Sequence, residues 1–342
     1  MNFIQLTEKI LSLDGQEGID FSIIGYSLLG KPIYCAHIGS YQGNQIICEG
    51  AIHAREWITA SLLVDICKYT LNKISSGGIY FIPMANPDGV EFVLDGVNGV
   101  RCEKLKNYLI NINEGRPNFS LWKANANAVD LNVNFDALWG GGIQNVFCVA
   151  PENFVGYYPD SEREVNALIN LTNNINPSLT LSWHSKGEVI YYGFETLSQA
   201  EIERDRQIAL QLAQLNGYQV IKTENSTGGY SDWVSQNFKV PAFTVEVGNS
   251  AIPHPIGEEF LPVIFEQNKD LPLVALNNVN NFVFSPTTNS EEQTSRPYIN
   301  PSENQSDFTN NISKRPFIHE TQNAGNLQNI GSFKEKFFIK IQ

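Results

Sequence analysis

Histidine is scarce in this chain, five residues in 342, and two of the five follow apolar runs that read as buried strands. His53 closes GNQIICEGAIH and His184 closes LTLSWH. Strand ends are where layered α/β proteins gather their site residues. Glu56 stands three residues past His53, so a turn or helical backbone puts both side chains on one side. Two imidazole nitrogens and one carboxylate oxygen form the His₂Glu set of catalytic Zn²⁺ sites, which keep a fourth position for water. Taken alone, H-x-x-E also recurs by chance, so the trio is at this point a candidate.

The elements that must position these residues follow from periodicity. GNQIICEGAIH, GGIYFIP, LTLSWHS and AFTVEVG are short apolar runs of strand type. EWITASLLVDICKYTLNKI has helical spacing and is expected to stop before Gly77-Gly78. The Asn-Pro-Asp-Gly run at 86–89 reads as a turn. Ser161 and Glu164 have the spacing of a capping box opening the helix SEREVNALINLTNNI. AEIERDRQIALQLAQLNG and EEFLPVIFEQNKDLPLVALNNVNNFV read as further helices, the second interrupted at Pro272. Strands alternating with helices indicate an α/β layered fold with a parallel or mixed sheet. Near residue 285 the composition changes to SPTTNSEEQTSRPYINPSENQSDFTNNISKRP, too polar to bury a core of its own. Residues 1–284 are therefore expected to form one domain, and 285–342 a disordered tail.

Composition removes several functions. The net charge is −13 without a dense Lys/Arg block, and phosphate backbones need a basic face, so nucleic acid is excluded as a partner. No apolar stretch approaches the roughly 20 residues of a membrane span. The N-terminus MNFIQLTEKILSLDG lacks the charged and apolar regions of a secretory signal, and the expected location is cytoplasmic. The five cysteines, Cys35, Cys48, Cys67, Cys102 and Cys148, form no C-x-x-C pair and read as buried free thiols of a reducing compartment.

Six segments in order carry a more specific signal: GAIHAREWITA, MANPDGVEF, VDLNVNFDALW, TLSWHSKGEVIYY, STGGYSDWV and FTVEVG. Together they resemble the zinc metallocarboxypeptidases of the carboxypeptidase A, B and T type. The resemblance implies an eight-stranded mixed sheet between helices, with one Zn²⁺ per chain at the sheet's C-terminal edge. It implies His53, Glu56 and His184 as metal ligands and Glu246 as general base. That carboxylate takes a proton from the attacking water and returns it to the leaving amine. Lys123 falls where the family has an arginine beside the scissile carbonyl, and retains the charge without the planar fork. A solvated lysine and a strand-end glutamate are the plainer alternatives for these two residues.

Departures from the family narrow the substrate. Asn132 matches the asparagine that helps hold a substrate's terminal carboxylate, but Val133 replaces the arginine beside it, and Glu224 stands at the mobile tyrosine's position. Losing a bidentate guanidinium weakens carboxylate capture. W-K-A-N-A, V-D-L-N, H-S-K-G-E-V-I-Y and S-T-G-G-Y-S-D-W resemble the bacterial γ-D-glutamyl-diaminopimelate peptidases. The implied partner is a muropeptide, met in a cytoplasmic, sporulation or cell-wall setting, and the protein is expected to be a monomer. Tyr230, Ser231 and Glu224 are expected to supply polar groups to the substrate pocket, with Arg55 or Arg101 as candidates for the missing cation. Three alternatives remain: a general carboxypeptidase, a deacylase of the same fold, and an inactive peptide-binding relative.

Overall fold

The protein is described as a computed structural model covering residues 1–281; the tail expected at 285–342 lies outside the described residues. Apart from Cys102–Leu105, the described residues belong to one compact unit. Its centre is a single sheet of β1 (Ile19–Tyr26), β2 (Pro32–Gly39), β3 (Gln45–Gly50), β4 (Gly78–Ile82), β5 (Leu179–His184), β6 (Val189–Tyr192), β7 (Gln219–Lys222) and β8 (Ala242–Glu246). The spatial order is β1-β2-β4-β3-β5-β8-β6-β7. The middle four strands, β4, β3, β5 and β8, run parallel, while β1, β2 and the β6–β8 pair add antiparallel neighbours. The expected mixed eight-stranded sheet is present.

Every residue of β3 and β5 is buried, the polar Gln45, Glu49, Thr180, Ser182 and His184 included, so neither strand has a solvent-facing alternation. Ile33, Cys35 and Ile47 of the sheet pack with Val165 and Leu168 of the helix Arg163–Ile175 and with Trp233 of the helix Tyr230–Phe238. The first of these helices lies so close to β1 that a Cβ on Gly25 would stand 2.6 Å from the Ala167 Cβ. A side chain there would push helix and strand apart.

Three local expectations need correction. The Asn-Pro-Asp-Gly run starts the helix Pro87–Asp95: Asn86 caps it by accepting from Gly89 N, with proline in the first turn, where its missing N–H costs nothing. The helix from Ile58 does stop before the glycine pair, ending at Thr70. The expected Ser161–Glu164 box does not form. Glu162 is the N-cap, Ser161 donates to its carboxylate at 2.7 Å, and Glu164 turns inward to accept from Leu28 N. Tertiary partners have outbid the local cap. Of the cysteines, Cys35, Cys48 and Cys67 are buried, but Cys102 and Cys148 are exposed. The expected interruption does appear, at residues 269–270 between Leu261–Asn268 and Leu271–Asn281, with Pro272 in the first turn of the second helix.

Glu164 now sits fully buried beside Glu162 and Asp88, and burial together with those two charges pushes its carboxyl up to about 8. A carboxyl raised on folding binds its proton more tightly in the native state. Its stabilising contribution is complete below the unfolded value and declines as pH rises from about 4.5 to about 8. Glu164→Gln should flatten this decline. Thermal melts of chelator-treated protein from pH 5 to 8.5 test it, and an unchanged slope would refute the assignment.

Candidate metal and catalytic site

The parallel register of the central strands brings the site together. β3 pairs Glu49 with Ser182, and β5 pairs Ser182 with Thr244 and His184 with Glu246. Residues two apart share a strand face. Glu49, Ser182, His184, Thr244 and Glu246 therefore lie on one face near the carboxyl ends of three parallel strands, at the edge where open α/β sheets form their crevices.

His53 follows the end of β3 and precedes the 3₁₀ turn Ala54–Glu56, which returns Glu56 towards the imidazole. The His53 Nδ1 lies 2.9 Å from Glu56 Oε1, and the His184 Nδ1 lies 2.9 Å from Glu56 Oε2. The two Nδ1 atoms are 3.0 Å apart although 131 residues separate them in sequence. All the offered donor atoms fall within 4.8 Å of one another. Two nitrogens converging with a carboxylate are the arrangement a divalent cation satisfies, and this donor chemistry fits zinc. Glu56 also accepts from Ser185 N at 3.1 Å. Against the cost of its burial, His53 and His184 hold its carboxyl well below the usual range.

A second layer supports the trio. The His53 Nε2 faces Asp130 Oδ1 at 3.4 Å, slightly long for a hydrogen bond. Asp130 is fully buried, pairs with Lys123 Nζ at 3.1 Å, and accepts from the backbone N–H groups of Asn132 and Asn153. Burial opposes its ionisation, yet Lys123 and His53 hold the carboxyl far below its ordinary value. Glu246 behaves oppositely: burial and the neighbouring Glu56 charge raise it, partly offset by His184, His53 and Lys123. A raised carboxyl beside a low one is the separation acid–base chemistry uses.

A cleft of about 390 Å³ opens over this site, and His53, His184, Glu246, Lys123 and Asn132 border it. Val133, Ser231, Glu224 and Asp232 line the same cleft. Gly228 brings the loop there, with φ +83° and a would-be Cβ only 2.8 Å from Val133 O, so a side chain is excluded on both counts. Tyr230 is the site residue that the structure moves elsewhere. Its ring is buried in the core and its hydroxyl meets Thr172 at 2.8 Å, because the helix it opens turns that position inward. Only its backbone N–H serves the site, donating to Asn132 Oδ1 at 3.0 Å. Arg55 does not border the cleft and pairs with Glu152 at 3.0 Å; Arg101 does not border it either. Asp130, Glu49, Ser182 and Asp232 escaped sequence reasoning. A charged residue inside the apolar run IICEG and a serine two residues before His184 were the available signals.

Residues 18–270 match the zinc carboxypeptidase family. The chain belongs to the zinc carboxypeptidase family. Among curated relatives of this family member is the γ-D-glutamyl-L-diamino acid endopeptidase 1 of Lysinibacillus sphaericus, 36% identical over 251 residues, covering 69% of this chain and 62% of that protein. Carboxypeptidase A1 of Sus scrofa is 26% identical over 186 residues, covering 53% of this chain and 43% of its own length. The chain thus spans less than two thirds of the curated relatives it matches. Its fold matches bovine thrombin-activatable fibrinolysis inhibitor, solved with a tick carboxypeptidase inhibitor, at a TM-score of 0.64 and 18% identity, covering 81% of this chain and 95% of that one. Zinc carboxypeptidases are zinc-dependent as a family, and the converging His₂Glu set is compatible with that. Among the described residues no helix is long and apolar enough to cross a membrane.

Proposed function

We propose that residues 1–284 form a zinc peptidase that cleaves the γ-D-glutamyl bond to a diamino acid in bacterial cell-wall peptides. One Zn²⁺ would be held by His53, Glu56 and His184. When bound it supplies Lewis acidity, polarising the scissile carbonyl and easing ionisation of water. Glu246 takes the proton of the attacking water and passes it to the leaving amine. Lys123 lies at the cleft wall, where its ammonium stabilises the negative charge developing on the carbonyl oxygen. Asn132, with Oδ1 occupied by Tyr230 N, offers its amide N–H groups to the substrate.

The observation that carries the substrate class is the makeup of the cleft wall. Val133 lines it in place of a carboxylate-binding cation, and apart from His53, His184, Lys123 and Glu246 its ionisable lining residues are Tyr191, Glu224 and Asp232. Such a pocket suits an amine-bearing side chain more than a free terminal carboxylate. The name of the Lysinibacillus relative supports the same class, while the match to carboxypeptidase A1 supports the alternative of a general carboxypeptidase.

Kinetics separate them. The γ-D-glutamyl-diaminopimelate peptide is expected to turn over with higher kcat/KM than hippuryl-type substrates, and the reverse order would establish the carboxypeptidase. Glu224→Gln should reduce preference for a diamino acid over its norleucine analogue roughly fivefold, the size of an ion pair worth about 1 kcal/mol. Unchanged preference would remove Glu224 from substrate recognition.

A further inference from the structure

We infer that Glu49, acting through Ser182, is a positioning residue that fixes the tautomer and aim of His184 for the metal. The inference rests on the zinc site proposed above and extends it one layer into the sheet.

The chain of contacts has a direction. Ser182 Oγ donates its hydrogen to Glu49 Oε1 and lies 3.1 Å from His184 Nε2. A hydroxyl has one hydrogen to give. With that hydrogen committed to Glu49, Ser182 Oγ meets the imidazole as an acceptor, so Nε2 must carry the ring proton. The neutral ring then keeps its lone pair on Nδ1, the nitrogen that converges with Glu56 and the His53 Nδ1. Without Glu49 the serine hydrogen can rotate towards Nε2 instead. That would favour the opposite tautomer, whose Nδ1–H cannot bind a cation.

The strand register makes the relay rigid. Glu49 and Ser182 are paired across β3 and β5, and His184 is the next residue on the Ser182 face. All three side chains are buried. Packing alone does not account for Glu49: its Oε2 is buried with no hydrogen-bond partner, on a strand whose neighbours Ile46, Ile47 and Cys48 are apolar. An aliphatic residue would avoid that desolvation penalty. A ligand imidazole backed by a carboxylate is the arrangement by which proteins orient metal-bound histidine, and removing such support typically weakens metal binding 10- to 100-fold. His53 has its own backing in Asp130, so each ligand histidine carries a separate support.

Zinc affinity measured by competition with a chromophoric chelator tests the relay, alongside the melting temperature of the zinc-free proteins. Ser182→Ala and Glu49→Leu are expected to bind zinc about 10- to 100-fold more weakly than the parent. Glu49→Gln keeps an oxygen acceptor for the serine and should stay within about threefold of the parent, a rescue that simple packing would not distinguish from leucine. Nitrogen-15 spectra of histidine-labelled, zinc-loaded protein should show a His184 Nε2–H protected from exchange in the parent and lose that protection in Ser182→Ala. If Glu49→Leu does not fold, Ser182→Ala alone decides. Parent-like zinc affinity and parent-like protection of His184 Nε2–H in Ser182→Ala would overturn the relay, as would Glu49→Gln binding as weakly as Glu49→Leu. A parent protein that binds zinc no better than His184→Ala would instead overturn the metal site, and the relay with it.

Discussion

Glu246→Gln is expected to fold and take up zinc as the parent does, yet to lose roughly 10² to 10⁴ in turnover. The substitution keeps size and hydrogen-bonding capacity but cannot accept a proton. Glu246 ends β8 beside His184 and borders the cleft together with His53 and His184. Burial and the Glu56 charge raise its carboxyl, which brings it nearer to a useful base. Single-turnover rates, zinc content and the melting temperature, measured on one preparation, separate the roles. Turnover within threefold of the parent would exclude Glu246 as the base. Loss of zinc together with activity would show it acting on the metal site rather than on the proton.

His184→Ala should be more damaging still, because it would remove a proposed metal ligand instead of the proposed base. Support residues around metals are typically worth 10- to 100-fold in affinity, and a direct ligand should cost more than about 100-fold. The buried Glu56 would lose a partner at 2.9 Å, and Ser182 the acceptor side of its bonding. Bound zinc also stabilises a native state that alone can bind it. At a thousandfold excess over Kd the gain is about 4 kcal/mol. The parent should therefore melt higher with zinc than after chelation, and His184→Ala should melt at the same temperature with or without it. Unaltered zinc content in the variant, measured by metal analysis, would dismiss His184 as a ligand.

The two expectations differ in what the sequence needed to supply. H-x-x-E and the histidine ending LTLSWH were legible because ligand types and strand ends are local properties. The Asn-Pro-Asp-Gly and Ser161 assignments were equally local and both failed. Asn-Pro-Asp-Gly is compatible with a turn and with a helix start, and the structure chose the helix, with Asn86 reaching Ile52 O and Ala124 O as well as Gly89 N. Ser161 had the spacing of a cap, but buried Glu162 took its hydroxyl. Tyr230 failed for a related reason: a loop motif shows that a pocket wall exists without showing which of its side chains turn inward.

By itself the sequence determined the fold class, the family resemblance, and some of the residues that border the cleft, among them His53, His184, Glu246, Lys123 and Asn132, because each is carried by residue type, order and short-range period. Tertiary structure alone decided the supports behind them. Asp130 meets His53 Nε2 only because a distant loop packs there, and Glu49 meets Ser182 only because β3 and β5 pair in a particular register. A one-residue slip of β3 against β5 would move Glu49 to the other face of the sheet. Register of non-neighbouring strands is set by the packing of the whole core, so no window along the chain contains it.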